Sequence, residues 1–315
     1  MKLIYVIPMF FLLAACGEQR IDEKPADSYF SSVTDSISAE SEKILFEDAK
    51  NQFYFPRYSP DGSKVFVTGN NYKGIWSYNI EDKKLLKLTG EEKSGYEYVS
   101  SKEGKTIYFI GAKFLDDIRR YDFALQSVNT ENGTTTKLLS TRDRLSDLKL
   151  IDDSTLAFFF NDSLAFFSTT ANKFTTLPES DFRITKIYGN KLFVYTKAGK
   201  TELTPFGEDN IIYADQSRKN DDLFYAAGKG LYKYSSSGEF MFLGDFQNAK
   251  YSPNGKMIAY TLEENDGLKT TNSDIYAAVI GTRIRSYKLT ASENINEANP
   301  SWSPDGGSII FNTTD

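Results

Sequence analysis

Few side chains in this sequence are placed to do chemistry, and the first of them lies near the start. Cys16 is the only cysteine and directly follows Leu13-Ala14-Ala15. Small residues before a thiol let a peptidase approach the backbone and leave the sulfur available for acylation. Further along, charges gather in two stretches, Lys113, Asp116, Asp117, Arg119 and Arg120 in one and Glu263, Glu264, Asp266 and Lys269 in the other. Neighbouring carboxylates such as Asp116 with Asp117, or Asp221 with Asp222, are the residue type that glycoside chemistry uses as acid and base. Adjacent side chains on a loop diverge, however, and neither pair defines the required separation. The run Glu263-Glu264-Asn265-Asp266-Gly267 offers oxygen ligands beside a glycine, but the twelve-residue calcium loop with its terminal Glu is absent, so no metal site is assigned. Gly228-Lys229-Gly230 lacks the third glycine and the strand-to-helix setting of a phosphate loop. Two readings of the charged stretches stay open: a polar binding rim, or solvated loop tips.

Composition removes whole classes of mechanism. The 315 residues include no histidine. No Ser-His-Asp or Cys-His relay can form, nor any imidazole-ligated metal site. One cysteine allows neither an intrachain disulfide nor a thiolate cluster. With 37 basic and 43 acidic side chains the net charge is −6, which gives no electrostatic reason to expect nucleic acid. No cofactor is called for.

The N-terminus combines Lys2, an apolar run from Leu3 to Leu13, and small residues before Cys16. The run is too short for a spanning helix and contains Pro8. It resembles a bacterial lipoprotein signal with its lipobox. That resemblance implies removal of residues 1–15, excludes them from fold reasoning, and implies acylation of Cys16. Multiple acyl chains, at about 0.8 kcal/mol per buried methylene, would hold the protein on a bilayer. Residues 16–42 then form a lipidated N-terminus and a linker rich in Ser, Asp and Glu, a leash of roughly 25–30 Å reach. Gly17, rather than Asp, follows the cysteine. By resemblance to enterobacterial sorting this favours the outer membrane, with the body facing either the periplasm or the cell surface.

The elements that must position the charged stretches are strands. From Phe53 onward an alternating apolar stretch, a tight turn and a second alternating stretch recur. The clearest turns are Ser59-Pro60-Asp61-Gly62, Ser252-Pro253-Asn254-Gly255 and Ser303-Pro304-Asp305-Gly306. Proline presets φ, Asp or Asn bonds back to the backbone, and Gly takes the positive φ that closes the loop. Degenerate copies occur at Ser101-Lys102-Glu103-Gly104, Asp152-Asp153, Gly189-Asn190 and Asn220-Asp221, which makes seven hairpins. A second strand pair follows several of them, as in Ile75–Tyr78 with Leu85–Thr89. Four strands per repeat is the signature of a β-propeller blade.

At these motifs residues 43–315 resemble the WD40-like propeller repeats of TolB-type proteins. The expected fold is all-β, a propeller of four-stranded antiparallel blades. The interval from Ser59 to Ser303 divides into six repeats of about 41 residues or five of about 49. Seven hairpins favour seven blades. The shortened spacing between Ile187 and Tyr213 leaves six open. The last copy ends after its second strand, so residues 43–47 are expected to supply its outer strand and close the ring. Trp76 and Trp302 are expected to pack between blades.

The resemblance separates two functions. TolB binds outer-membrane partners of the Tol-Pal system through its propeller, which implies a non-catalytic scaffold or adaptor for an envelope protein. The α/β domain of TolB has no counterpart here, so Tol-Pal membership does not carry over. The alternative is a propeller that binds carbohydrate or processes polysaccharide as a lyase or hydrolase. Prolyl oligopeptidase-type enzymes place their triad in an added domain and pectic lyases use a histidine-rich metal site, neither of which this sequence provides. The expectation is therefore a binding protein and not an enzyme, with a glycan ligand kept as the alternative.

Overall fold

In the computed structural model the described residues are 3–10, 38–39, 41–48, 50–189, 191–203, 211, 213–216, 223–227, 230–235, 238–244, 246–268, 270–280, 284–292 and 295–314. Cys16, nearly all of the proposed linker, and Lys269 lie outside them. Three strands belong to the N-terminal part, β1 (Leu3–Phe10), β2 (Ser38–Ala39) and β3 (Lys43–Glu47). The rest follow in meandering sets. The first set is β4 (Tyr54–Tyr58), β5 (Lys64–Thr68), β6 (Ile75–Asn79) and β7 (Lys84–Thr89). The second is β8 (Tyr98–Ser100), β9 (Thr106–Leu115), β10 (Arg120–Asn129) and β11 (Thr135–Thr141). The third is β12 (Leu145–Leu150), β13 (Thr155–Phe160), β14 (Ser163–Ser168) and β15 (Lys173–Thr175). The fourth shows three strands among the described residues, β16 (Arg183–Tyr188), β17 (Lys191–Thr196) and β18 (Gly199–Leu203), where the sequence spacing shortens. The fifth is β19 (Tyr213–Gln216), β20 (Leu223–Ala227), β21 (Gly230–Tyr234) and β22 (Phe240–Gly244). The sixth is β23 (Gln247–Tyr251), β24 (Met257–Asn265), β25 (Thr270–Val279) and β26 (Arg285–Lys288). The closing set begins with β27 (Asn296–Trp302) and β28 (Ser308–Thr314), and joins the sixth through a single parallel bridge, Ser273 with Asn296.

Each first-to-second strand pair is antiparallel, at all seven hairpins the sequence marks. The turn chemistry explains why they form. Ser59 donates its hydroxyl hydrogen to Asp61 Oδ1 at 2.5 Å and accepts the Lys64 N–H at 2.9 Å, while Gly62 has φ of 75°. Ser303 and Asp305 repeat the arrangement, and those bonds, first of all the Ser303 hydroxyl, hold the Asp305 carboxyl below its ordinary range. The recurring Asp is thus a turn residue.

Successive sets bury apolar faces against one another. Ile75, Leu88, Ile107 and Phe109 fill the space between the first and second, and Leu125, Leu156 and Phe158 that between the second and third. Trp302 lies in the core joining the sixth and closing sets, where its indole N–H donates to Lys250 O at 3.0 Å, and Trp76 lies between the closing and first sets. Both tryptophans therefore pack between blades, and the last apolar core completes the ring.

Closure departs from expectation in one respect. Strand β3 is the outer strand of the closing set, as its position in the sequence suggests, but it pairs with β1 and not with β28. Strand β1 lies between them, with Ile4 opposite Asn312 and Tyr5 opposite Phe311. Residues 3–10, which the sequence reading leaves out of the fold, therefore form its third strand. The physical reason is that the outer edge of β28 presents unpaired N–H and C=O groups, and that Ile4 and Tyr5 pack into the cores on the two sides of the sheet. Ile4 is buried and Tyr5 stacks on Phe311 with ring centroids 5.2 Å apart.

Deleting residues 43–50 removes β3 and the buried Phe46. The expected outcome is loss of cooperative thermal unfolding by circular dichroism; an unchanged melting curve would overturn the closure described here.

Candidate functional site at the mouth of the ring

The alternation of strand directions sends the Ser-Pro-Asp-Gly turns to one face of the ring. The hairpins between second and third strands, and the links between sets, open on the other. On that second face two loops of the first set are zipped together. Gly74 N–H donates to Glu91 O at 2.9 Å and Gly95 N–H to Tyr72 O at 3.0 Å, with Lys73 and Glu92 paired at 3.6 Å outside. Gly95 is required by close approach: a Cβ there would lie 1.9 Å from the Thr68 hydroxyl oxygen.

This paired loop presents aromatic rings at the inner side of the ring. Tyr72 stacks on Phe55 at 5.0 Å and meets Tyr96 edge-on at 4.9 Å, and Tyr96 is 57% exposed. Phe55 and Tyr72 hold φ of 53° and 60°, a conformation that strains bulky residues by about 1–2 kcal/mol each and that clusters at functional sites. At Phe55 the strain belongs to a bulge in the innermost strand. The same register break occurs in β12, β23 and β27, with Asp147, Asn248 and Asn299 also at positive φ.

Charged groups from the next sets adjoin the rings. Glu97 is largely buried, and its Oε2 accepts the Leu148 N–H at 3.4 Å. Burial first, and then the Asp147 carboxylate, push the Glu97 carboxyl up to about 7. Asp147 is itself bound by Lys186 Nζ at 2.8 Å; this buried ammonium also contacts Ser146 at 3.1 Å and lies 4.2 Å from the centre of the Phe159 ring. The mouth thus joins an exposed aromatic edge to a carboxyl that exchanges protons near neutrality and a buried cation. Such a surface can stack on a flat group and hydrogen-bond to it.

The residues singled out from the sequence fall elsewhere on this face. Lys113, Asp116, Asp117, Arg119 and Arg120 are exposed and make no ion pair among the described residues. Only residues 116–119 form a loop, because β9 and β10 run ten residues each and carry Lys113 and Arg120 on the ladder. The reason is cross-strand aromatic contact: Phe114 meets Tyr121 edge-on at 5.0 Å. Likewise Glu263 and Glu264 are strand residues of β24 and not loop tips, while Asp266 lies in the connecting loop, where its Oδ1 accepts the Leu268 N–H. The two clusters belong to the second and sixth sets, so the fold does not merge them. Glu264 also borders an open polar depression of ≈ 370 Å³ lined by Thr271, Asn272, Asp274, Lys288 and Ser292. Lys288 Nζ binds Asp274 at 2.8 Å, but the buried oxygens Asp274 Oδ1, Asn272 Oδ1 and the nearby Glu297 Oε1 have no hydrogen-bond partner among the described residues. Burial pushes the Glu297 carboxyl up to about 7.

Phe55, Tyr72, Tyr96, Glu97, Asp147 and Lys186 were not singled out from the sequence. The loops 70–73 and 90–96 are recognisable there as opening on this face, but nothing local marks Glu97 as buried or brings Asp147 beside it.

No protein-family model matches the chain, and no curated protein sequence matches it. Solved structures do. A protein of Agrobacterium tumefaciens assigned as TolB superposes with a TM-score of 0.55 at 12% identity, covering 100% of this chain and 98% of that one. The β-propeller domain of the Trilobed protease of Pyrococcus furiosus gives 0.52 at 15% identity, over 79% of this chain and 88% of that one. The C-terminal WD40 domain of Sif2 gives 0.54 at 12% identity, over 87% and 86%. At these identities the likeness is one of fold. In fold the chain is a TolB-like, WD40-like β-propeller, with most of the described residues in strands and several antiparallel four-stranded sheets.

Two outcomes test the mouth. Gly95→Ala should destabilise the fold by about 1–3 kcal/mol in denaturant melts, since the Thr68 side chain must move; an unchanged midpoint would show that the paired loop gives way freely. Glu97 has a folded pKa raised above its ordinary 4.5 to about 7, so its contribution to stability is present at low pH and is lost as pH rises through 7. Glu97→Gln should therefore gain on wild type between about pH 5 and 8, by about 1–3 kcal/mol. Parallel stability curves for the two proteins would remove Glu97 from the buried site.

Proposed function

We propose that this chain is a seven-bladed, lipid-anchored propeller of the bacterial envelope that binds a protein partner and catalyses nothing itself. Residues 1–15 act as the export signal, Cys16 carries the lipid, residues 17–42 are the leash, and the hairpin face of the ring meets the partner. The outer membrane is the proposed address.

The observation that carries this reading is the β9–β10 hairpin. Its tip exposes Phe114, Ile118 and Tyr121, at 40%, 43% and 42%, among five charges without ion pairs among the described residues. Apolar rings surrounded by Arg and Asp are the composition of a binding hot spot with a polar rim. Phe114 and Tyr121 meet each other across the ladder, and the rest of their surface stays in solvent. A second reading, binding or processing of a glycan, is favoured by the depression beside Glu264. The acceptors Asp274 Oδ1 and Asn272 Oδ1, without a partner among the described residues, would suit the hydroxyl donors of a sugar.

Crosslinking in intact cells, followed by purification and mass spectrometry, tests both. Wild type should give one dominant envelope protein, and Cys16→Ser behind a cleavable export signal should lose or weaken it. Alanine at Phe114, Tyr121 and the charges of Lys113–Arg120 should leave the melting temperature nearly unchanged and weaken capture about tenfold or more. Unaltered capture would place the partner on another surface. No specific protein crosslink, together with glycan binding that Asp274→Asn abolishes, would establish the second reading.

A further inference from the structure

The closing set holds a strand that the proposed maturation would remove. Strand β1 is hydrogen-bonded on both sides, to β28 through Ile4–Pro8 and to β3 through Leu3–Val6. Cleavage before Cys16 would leave β28 and β3 two strand spacings apart, about 10 Å, with free backbone groups along both edges, with Tyr5 gone from the Phe311 ring and Ile4 gone from the core that holds Ile310. The gap would not simply collapse, because β3 is held from its other side by the first set. Phe46 stacks on Tyr78 at 4.3 Å and lies 5.7 Å from Phe53, and the Tyr78 hydroxyl donates to Leu45 O at 3.2 Å. Beyond it, Asp48 accepts the N–H groups of Lys50 and Asn51 at 2.7 and 3.0 Å. Sliding β3 onto β28 would break these contacts.

We propose that the mature closing blade is a strand acceptor: an extended segment of an envelope protein, antiparallel to both β28 and β3, occupies the place that β1 holds here. Its chemistry can be read from β1. It needs backbone N–H groups at the positions of Ile4–Ile7, an aliphatic side chain where Ile4 is buried, and an aromatic ring at the next position to stack on Phe311 as Tyr5 does. Main-chain pairing supplies affinity and the two side-chain pockets supply selectivity, as in strand addition generally. This inference rests on the lipoprotein reading above.

The test uses the processed protein purified from cells, with its N-terminus determined by mass spectrometry, and a labelled peptide of the sequence Leu3–Phe10 bearing a solubilising lysine tail. Fluorescence anisotropy should show saturable binding and a raised melting temperature. The full-length chain with Cys16→Ser, in which cleavage is blocked and β1 stays in place, should bind at least about tenfold more weakly, as should a peptide with Val6→Pro, which removes a ladder hydrogen bond. Processed protein that melts cooperatively yet binds no peptide would overturn the proposal, showing the gap filled by the chain itself. Failure to melt cooperatively with or without peptide would also overturn it, whereas cooperativity restored by peptide supports it. An N-terminus still beginning at Met1 would instead refute the lipoprotein reading.

Discussion

A ring of sheets has to be closed by hydrogen bonds between strands that are far apart in sequence, and in this protein everything else depends on that closure. Each inter-set core is made by two neighbours, so an unclosed ring leaves two apolar faces in water. In the last set β27 and β28 are completed by strands of the N-terminal segment, and the core that includes Phe46, Phe53, Trp76 and Ile310 joins residues from both ends of the described chain. Such non-local pairing is slow to form, because loop closure is unfavourable until the final contacts repay it. It also concentrates the vulnerability of the fold in one blade.

The remaining blades rest on local chemistry, which is why they are legible in the sequence. Ser59, Ser252 and Ser303 each accept the N–H that begins the second strand, and the Pro-Asp-Gly or Pro-Asn-Gly that follows allows one turn geometry only. Alternating apolar residues on either side then bury one face on each neighbour. Where the turn motif degenerates, at Asp152-Asp153 or Gly189-Asn190, the hairpins are still found from the alternation of the strands around them. The placement of residues 3–10 was not legible, because an apolar segment of that length reads equally as an export signal and as a strand, and only the vacant edge of β28 decides what it pairs with.

The candidate binding surfaces were legible in part, for a related reason. Charge density picks out the charges of Lys113–Arg120 and of Glu263–Asp266 as exposed, and all are except Glu263, which is half-buried. It cannot show that Phe114 and Tyr121 extend the ladder beneath the first of these, since that contact depends on the register of β9 and β10. The mouth of the ring is harder still to read. Tyr96 and Glu97 are adjacent in sequence, but one is exposed and the other largely buried, and the group that raises Glu97 beyond burial alone is Asp147, about one repeat away. A property shared by three sets cannot be seen in any one of them.

The bulge in the inner strands links architecture to surface. By breaking the register four residues before Ser59, Ser252 and Ser303, it turns one residue of each strand out of the regular pleat. Asn is well suited to the positive φ this demands, and Asn248 and Asn299 conform. Asn299 also donates to Asn312, which in turn accepts the Phe55 N–H, so the bulges of the closing and first sets are tied across the closure. Phe55 is the exception: nothing in the backbone favours a bulky ring there, and the ring is held against Tyr72, itself at positive φ. Two strained aromatics supporting one another beside an exposed third ring are hard to account for by stability alone. They are accounted for if the ring edge of Tyr96 has to be presented at the mouth, on the same face as the β9–β10 hairpin, where one partner can meet both.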